Sequence, residues 1–269
     1  AKRLEDFLSA YLNYAGANGV WISGFFGSGK SHLLKILAHL LENHSIEGTP
    51  ILELFLPKVP EDNALLKKDL KRAVEIPSQS ILFNIDQKAD IISKTQIDAL
   101  LTVFVKVFDE TCGYYGKQGH IAQFERDLDS RKLFVPFKQA FQALAGVTWE
   151  RGREQVLLES KNIAQAYAEV TGDTVSAVGI LDKYRAEYKV SIEDFADKVN
   201  AFLEQHPPTF RLNFFVDEVG QYIADNTKLM TNLQTIAESL ATRCKGRAWI
   251  LVTAQEDMHT VMGEMTQKQ

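Results

Sequence analysis

An α/β fold is what this sequence predicts, a mostly parallel sheet covered on both faces by helices, and three observations carry that expectation. Four short apolar runs, at 20–23, 80–86, 211–216 and 248–253, have the length and the β-branched or aromatic content of buried strands. Segments of helical period separate them, which is the alternation a parallel sheet requires. Between the second and third runs lie about 125 residues in nearly continuous helical period, too long for an ordinary connection within one sheet. The expected organisation is a first part of the sheet core over 1–89, a helical insertion or subdomain over 90–208, and a second part of the core over 209–269.

Each element has a local reason. Leu4, Phe7, Leu8, Tyr11 and Leu12 form one apolar stripe, so 3–14 reads as an amphipathic helix. Gly16 to Gly19 is turn chemistry, and Val20-Trp21-Ile22-Ser23 follows as a strand bounded by glycines. A glycine-rich loop comes next, then the helical run HLLKILAHLLEN. The span 49–76 reads as helical with a break at Pro57 and Pro60, and SILFNID (80–86) as a second strand. Helices are expected at 95–110, 120–129, 134–145, 149–170, 174–188 and 192–205, with start signals at Thr95-x-x-Asp98 and Ser191-x-x-Asp194. RLNFFV (211–216) is a third strand, 227–243 a helix, and AWILVT (248–253) a fourth strand.

Composition narrows the function classes. A chain of 269 residues with 45% apolar side chains buries a sizeable core, as one large domain or two modest ones, and is not a disordered segment. Thirty basic against 35 acidic residues leave a net charge of −5, so a broad DNA footprint or capture by an anionic membrane is not expected. Contact with DNA through a local patch stays open. No window approaches 18 consecutive apolar residues, and the basic start AKRLEDFLSAYL lacks the apolar core of a signal peptide, so a soluble cytoplasmic protein is expected. The opening within a helix and the close without an element suggest a fragment. Cys112 and Cys244 lie far apart with no CxxC, and the histidines at 32, 39, 44, 120, 206 and 259 contain no HExxH. Free buried thiols and ordinary helix and loop histidines are expected, with no zinc site.

The chemistry concentrates in two segments. Gly24 to Ser31 fits GxxxxGK[ST] at every fixed position, with a strand before it and a helix after it. In such a loop, Gly24, Gly27, Ser28 and Gly29 let backbone N–H groups turn inward around the phosphates of ATP, and the helix N-terminus through His32 adds a favourable dipole. Lys30 supplies a charge to the β- and γ-phosphates, and Ser31 offers a hydroxyl to Mg²⁺. Phe25 and Phe26 are bulky for a phosphate loop and are expected to pack on the helical layer, stacking on the base being the alternative. The second segment is Asp217-Glu218 at the end of the third strand. There Asp217 would hold Mg²⁺ beside Ser31, and Glu218 would orient or deprotonate the attacking water.

Neighbouring strand ends add polar groups to the same edge. Thr253 or Gln255 would contact the γ-phosphate or the water as a sensor, and Asn84 would hold Glu218 inactive until a ligand binds. Arg243, Lys245 and Arg247 precede the fourth strand and belong at the opposite edge, where Arg243 complements a helix C-terminus. No guanine-specificity motif, ABC signature or helicase motif set accompanies the loop. The fold expected is therefore a P-loop NTPase of the ASCE group, which carries an extra strand between the phosphate-loop strand and the strand ending in Asp217-Glu218, strand order 5-1-4-3-2, with the fifth strand not visible.

Four segments together, WISGFFGSGKSHLLKILAHLLEN, ILFNIDQKAD, FFVDEVGQYI and LQTIAESLATRCKGRAWILVTAQED, resemble the N-terminal ATPase region of BrxC (PglY-type) P-loop proteins of bacterial BREX phage-defence systems. The resemblance rests on the double Phe in the loop and on the VDEVGQYI continuation. It implies an AAA+-like ATPase, antiviral defence, a methyltransferase and other BREX proteins as partners, and a homo-oligomer in full-length form. A DNA-loading, replication-initiator-type ATPase and a non-hydrolysing nucleotide-binding scaffold are the competing readings.

Overall fold

The structure, a computed structural model, describes residues 2–24, 27–88, 98–223 and 226–255. Phe25, Phe26, Thr95 and His259 lie outside the described residues, and with them the expectations placed there. The chain divides into two compact units, residues 1–103 with 191–269, and residues 104–190.

The first unit is an α/β layer structure. In chain order it contains α1 (Lys2–Leu12), β1 (Gly19–Gly24), α2 (Lys30–Leu41), a hairpin of β2 (Ser45–Ile46) and β3 (Thr49–Pro50), α3 (Ile51–Phe55), α4 (Ala64–Val74), β4 (Ser78–Asn84) and α5 (Ile85–Lys88). After the start of α6 (Ala99–Thr111), within which the division falls, it resumes with α13 (Ile192–Glu204), β5 (Arg211–Asp217), α14 (Val219–Ile223), α15 (Thr227–Cys244) and β6 (Ala248–Gln255). Four strands form one sheet in the order β1-β6-β5-β4, every neighbouring pair parallel.

The strand period of two sorts the core. Phe215, Trp249 and Leu251 face α1, α2 and α4, where Phe7, Leu8, Tyr11, Leu37 and Leu70 complete a buried cluster. On the opposite face Phe214 meets Phe195 of α13 edge-on, with ring centroids 6.0 Å apart. Tyr11 and Asn213 hydrogen-bond within this interior, so the buried amide keeps a partner.

Register is what positions the site. Gly24 pairs with Gln255, Val216 with Val252, and Asn84 with Asp217. Parallel strands in this register bring Gly24, Asn84, Asp217 and Thr253 to one edge of the sheet, the carboxyl edge where open α/β folds place ligands.

The second unit is helical throughout its described residues: the rest of α6, then α7 (Gly119–Ser130), α8 (Phe134–Ala145), α9 (Trp149–Gly152), α10 (Ser160–Thr171), α11 (Thr174–Ala177) and α12 (Ile180–Glu187). Phe124, Phe137, Phe141 and Trp149 form its aromatic centre, Trp149 standing edge-on to Phe137 and Phe141 at 5.0 and 5.2 Å. No helix among the described residues is long and apolar enough to cross a membrane.

Several ends shift by one or two residues, as where the expected strand 80–86 is Ser78–Asn84 and Ile85 and Asp86 begin α5, and three larger differences from the sequence expectation stand beside them. Residues 49–50 are a strand rather than the start of a helix, because Glu47 and Gly48 both take left-handed φ (51° and 84°) and close a two-residue hairpin turn. The expected helix 149–170 divides, with Leu157 and Leu158 left exposed between α9 and α10, so the apolar period there does not form one buried stripe. The expected helix 174–188 is broken at Gly179, whose φ of 64° starts α12 anew. The Ser191 and Asp194 signal does form a reciprocal capping box at the head of α13.

Candidate functional site

At the carboxyl edge of the sheet a cleft of about 390 Å³ opens between the glycine loop and the ends of β5 and β6. Gly27 and Gly29 hold φ of 75° and 83°, which a side chain would strain, and these turns bring the loop back onto the head of α2. At Gly24 a Cβ would come within 2.9 Å of Ser28 Oγ, so the loop is closed tightly on its own first residue. Lys30 donates from Nζ to the Gly24 carbonyl at 2.7 Å, which lays its side chain back across the loop. His32 also lines the cleft.

The two carboxylates stand opposite. Asp217 Oδ1 accepts from Ser31 Oγ at 2.9 Å, from Thr253 Oγ1 at 2.6 Å and from the Glu218 N–H at 3.1 Å. Thr253 Oγ1 in turn accepts from that same N–H at 2.8 Å. The Thr253 hydroxyl is buried and committed to both residues, which makes it a positioning group for the carboxylates. Gln255 ends β6 opposite Gly24 in register. Glu218 has a φ of 62°, a left-handed conformation that costs a non-glycine residue about 1–3 kcal/mol unless its surroundings hold it. Here the Thr253 and Asp217 contacts to its N–H hold it.

Asn84, at the end of β4, donates from Nδ2 to Glu218 Oε2 at 2.5 Å, and its own Oδ1 accepts from the Asp86 N–H at 2.9 Å. The amide is thus oriented by the chain that follows it and aimed at the carboxylate. The geometry therefore brings together Gly27, Ser28, Gly29, Lys30, Ser31, His32, Asp217, Glu218 and Thr253 around one cleft, with Gly24 and Asn84 tied to its members. Gln221 of α14, one turn beyond Glu218, lines the same cleft and was not singled out from the sequence; its only signal is the i+3 spacing from Glu218.

The remaining candidates fall elsewhere. Arg243 pairs with Asp197, and Arg247 donates to the carbonyls of Leu203, Pro207 and Phe210, both at the amino edge of the sheet. Both cysteines are free; burial pushes the Cys244 thiol up to about 12 and raises Cys112 as well, so neither is a ready nucleophile at neutral pH. No protein-family model matches the chain, and no solved structure matches it significantly.

Proposed function

We propose that this chain is an ATP-binding and ATP-hydrolysing module of the P-loop NTPase class, AAA+-like in organisation. One observation carries the reading: Lys30 and Ser31 at the head of α2 and Asp217-Glu218 at the end of β5 converge on one cleft, with Ser31 and Asp217 in hydrogen-bond contact. Each group has the chemistry its place demands. The loop presents backbone N–H groups and a helix N-terminus to polyphosphate. Lys30 would exchange the Gly24 carbonyl for the β- and γ-phosphates.

A hydroxyl and a carboxylate oxygen 2.9 Å apart are a hard-oxygen donor pair that suits Mg²⁺, which keeps most of its waters and takes few protein ligands. Ser31 and Asp217 would hold the ion there, and it would supply positive charge against the negative charge that develops on the phosphates. Glu218 would orient and deprotonate the attacking water once Asn84 releases it, so the Asn84 contact supports a state in which binding and hydrolysis are separable. Thr253 fixes the backbone from which Glu218 acts.

The four segments quoted above support placing this module in a cytoplasmic BREX phage-defence protein, where nucleotide state would control assembly with copies of itself and with a methyltransferase and associated proteins. The test begins with binding. Lys30→Ala should weaken MgATP affinity about ten- to a hundred-fold, the worth of a charge-assisted contact of about 1.5–3 kcal/mol, with the fold intact by circular dichroism. Equal affinities by calorimetry would remove the assignment of the loop. The defence reading is tested separately, by phage restriction in cells carrying the same substitution in the full-length protein.

A further inference from the structure

We propose that His39, Glu42 and His44 form a binding site for a divalent transition-metal ion of borderline softness, Zn²⁺ or its neighbours, at the end of α2 opposite the glycine loop. The site follows from how the helix stops. Glu42 caps α2, Asn43 turns into the left-handed region at φ 52°, and two backbone bonds close the turn: Asn43 N–H to the Leu40 carbonyl (2.9 Å) and His44 N–H to the His39 carbonyl (3.2 Å). This is a Schellman motif, whose geometry brings the third residue before the cap against the second after it, usually as an apolar contact. In this chain those two positions are both histidine, and both are exposed.

The imidazoles meet through their Nδ1 atoms, 3.3 Å apart, with ring centroids 5.6 Å apart. Two nitrogens each about 2.0–2.1 Å from a tetrahedral Zn²⁺ stand about 3.3–3.4 Å from one another. The spacing is that of two ligands on one ion. On its far side His44 Nε2 lies 3.0 Å from Glu42 Oε2, and the other Glu42 oxygen accepts the Ser80 N–H of β4. A carboxylate on the second ring nitrogen is the arrangement that fixes a ligand histidine: it assigns the hydrogen to Nε2 and leaves the Nδ1 lone pair directed at His39. Binding then needs one change, His39 carrying its hydrogen on Nε2 in place of Nδ1. The Glu42 side chain is itself mostly buried (14% exposed), so the carboxylate is held from the edge of the sheet and not from solvent.

Two imidazole nitrogens discriminate against Mg²⁺, which prefers oxygen donors, so this site and the cleft sort different ions. They are also far apart: Lys30 and His39 stand nine positions apart on α2, about 14 Å of helix at 1.5 Å per residue. Water would complete the coordination. The consequence for the molecule is a tie between the last turn of α2, its cap and, through Ser80, strand β4.

The experiment is a calorimetric titration of the chain with ZnCl₂ in excess Mg²⁺, paired with thermal melts. One Zn²⁺ per chain should bind and raise the melting temperature. His39→Asn and His44→Asn should lose that binding, and Glu42→Gln should weaken it about 10- to 100-fold, the usual effect of removing the outer carboxylate. The histidine side chains take no part in the backbone bonds of the turn, so both variants should melt as the metal-free wild type does. A measurement needing no variant is the Cu²⁺ electron paramagnetic resonance spectrum of the wild type, which should show coupling to two imidazole nitrogens. The same zinc isotherm for His39→Asn and wild type, or a Cu²⁺ spectrum without nitrogen coupling, would overturn the site.

Discussion

Two glutamates, one in each unit, show how the same side chain is built for opposite purposes. Glu125 at the centre of the helical unit is fully buried and accepts from the Tyr115 N–H (2.6 Å), from Trp149 Nε1 (2.6 Å) and from Arg153 (2.9 Å). Its donors come from the α6–α7 connection, from α9 and from the turn after it, so a single carboxylate fastens three parts of the chain. Burial pushes its carboxyl up while Arg153 and Trp149 draw it down. Glu218 stands half-exposed on a left-handed backbone at the rim of a cleft, and among the described residues only Asn84 donates to its carboxylate. A carboxylate answered on every side by fixed donors is a structural tie. One held by a single exchangeable amide, on strained backbone, is free to change partner.

The comparison predicts separable effects. The largest concerns rate: Glu218→Gln should lower ATP hydrolysis about 10²–10⁴-fold while leaving MgATP binding in place, because the amide keeps the size of the carboxylate but takes no proton. Phosphate release at the wild-type rate would refute the role of base, and the melting temperature should not fall. Next is Glu125→Ala, which leaves a partly buried guanidinium, an indole N–H and a backbone N–H without their acceptor. Removing one partner of a buried ion pair costs about 3–5 kcal/mol, and denaturant unfolding should show that loss in the helical unit. A loss under about 1 kcal/mol would mean that the three donors find other acceptors, and the contrast with Glu218 would fail.

Much of the sheet unit is legible in the sequence because its signals are periodic and local. Apolar runs fix four strands, the loop motif fixes the head of α2, and strand-end position alone places Asn84 near Glu218. What escapes is set by turns and by distance along the chain. The β2–β3 hairpin has two-residue strands, too short for any period, and its turn residue Glu47 carries no turn signal of its own. The turn that carries His44 back onto His39 escapes because Asn43, which reverses the chain, is also an acceptable helix residue and closes the expected helical run. The role of Glu125 depends on Trp149 and Arg153, which follow it by 24 and 28 residues, a separation no local pattern reports. Thr253 is visible as a strand end, but that its hydroxyl serves Asp217 and the Glu218 N–H follows only from the register of β5 on β6.

That register sharpens the comparison from the other side. Thr253→Val keeps the shape of the side chain and removes both its donor and its acceptor, leaving the Glu218 N–H with Asp217 alone. The expected cost is about 1–3 kcal/mol for a buried polar group short of a partner. Because the missing bond is the one that holds a left-handed residue, the loss should appear in turnover as well as in stability. Thr253→Ser, which restores the hydroxyl, should recover both. Recovery of stability without turnover would assign the methyl group, and not the hydroxyl, to positioning.

The smallest effect tests where the two units part. The chain re-enters the sheet unit at Ser191, whose hydroxyl accepts from the Asp194 N–H at 3.0 Å while Asp194 accepts from the Ser191 N–H at 3.0 Å. Ser191→Ala should cost about 1 kcal/mol, the usual worth of an N-cap, and should register in the unfolding of the sheet unit rather than the helical one. Asp194 adds a pH dependence whose sign is fixed. The Ser191 N–H is the first cause that lowers its carboxyl below the ordinary 3.8, so the folded state binds that proton less readily than the unfolded chain does. Its contribution is therefore present above about pH 3.8 and is lost as the pH falls through the lowered value. Asp194→Asn should be less stable than wild type at neutral pH and should match it once the wild-type carboxyl is protonated. A stability difference between the two that stays constant from neutral pH down into that acid window would show that the carboxylate charge takes no part in the cap.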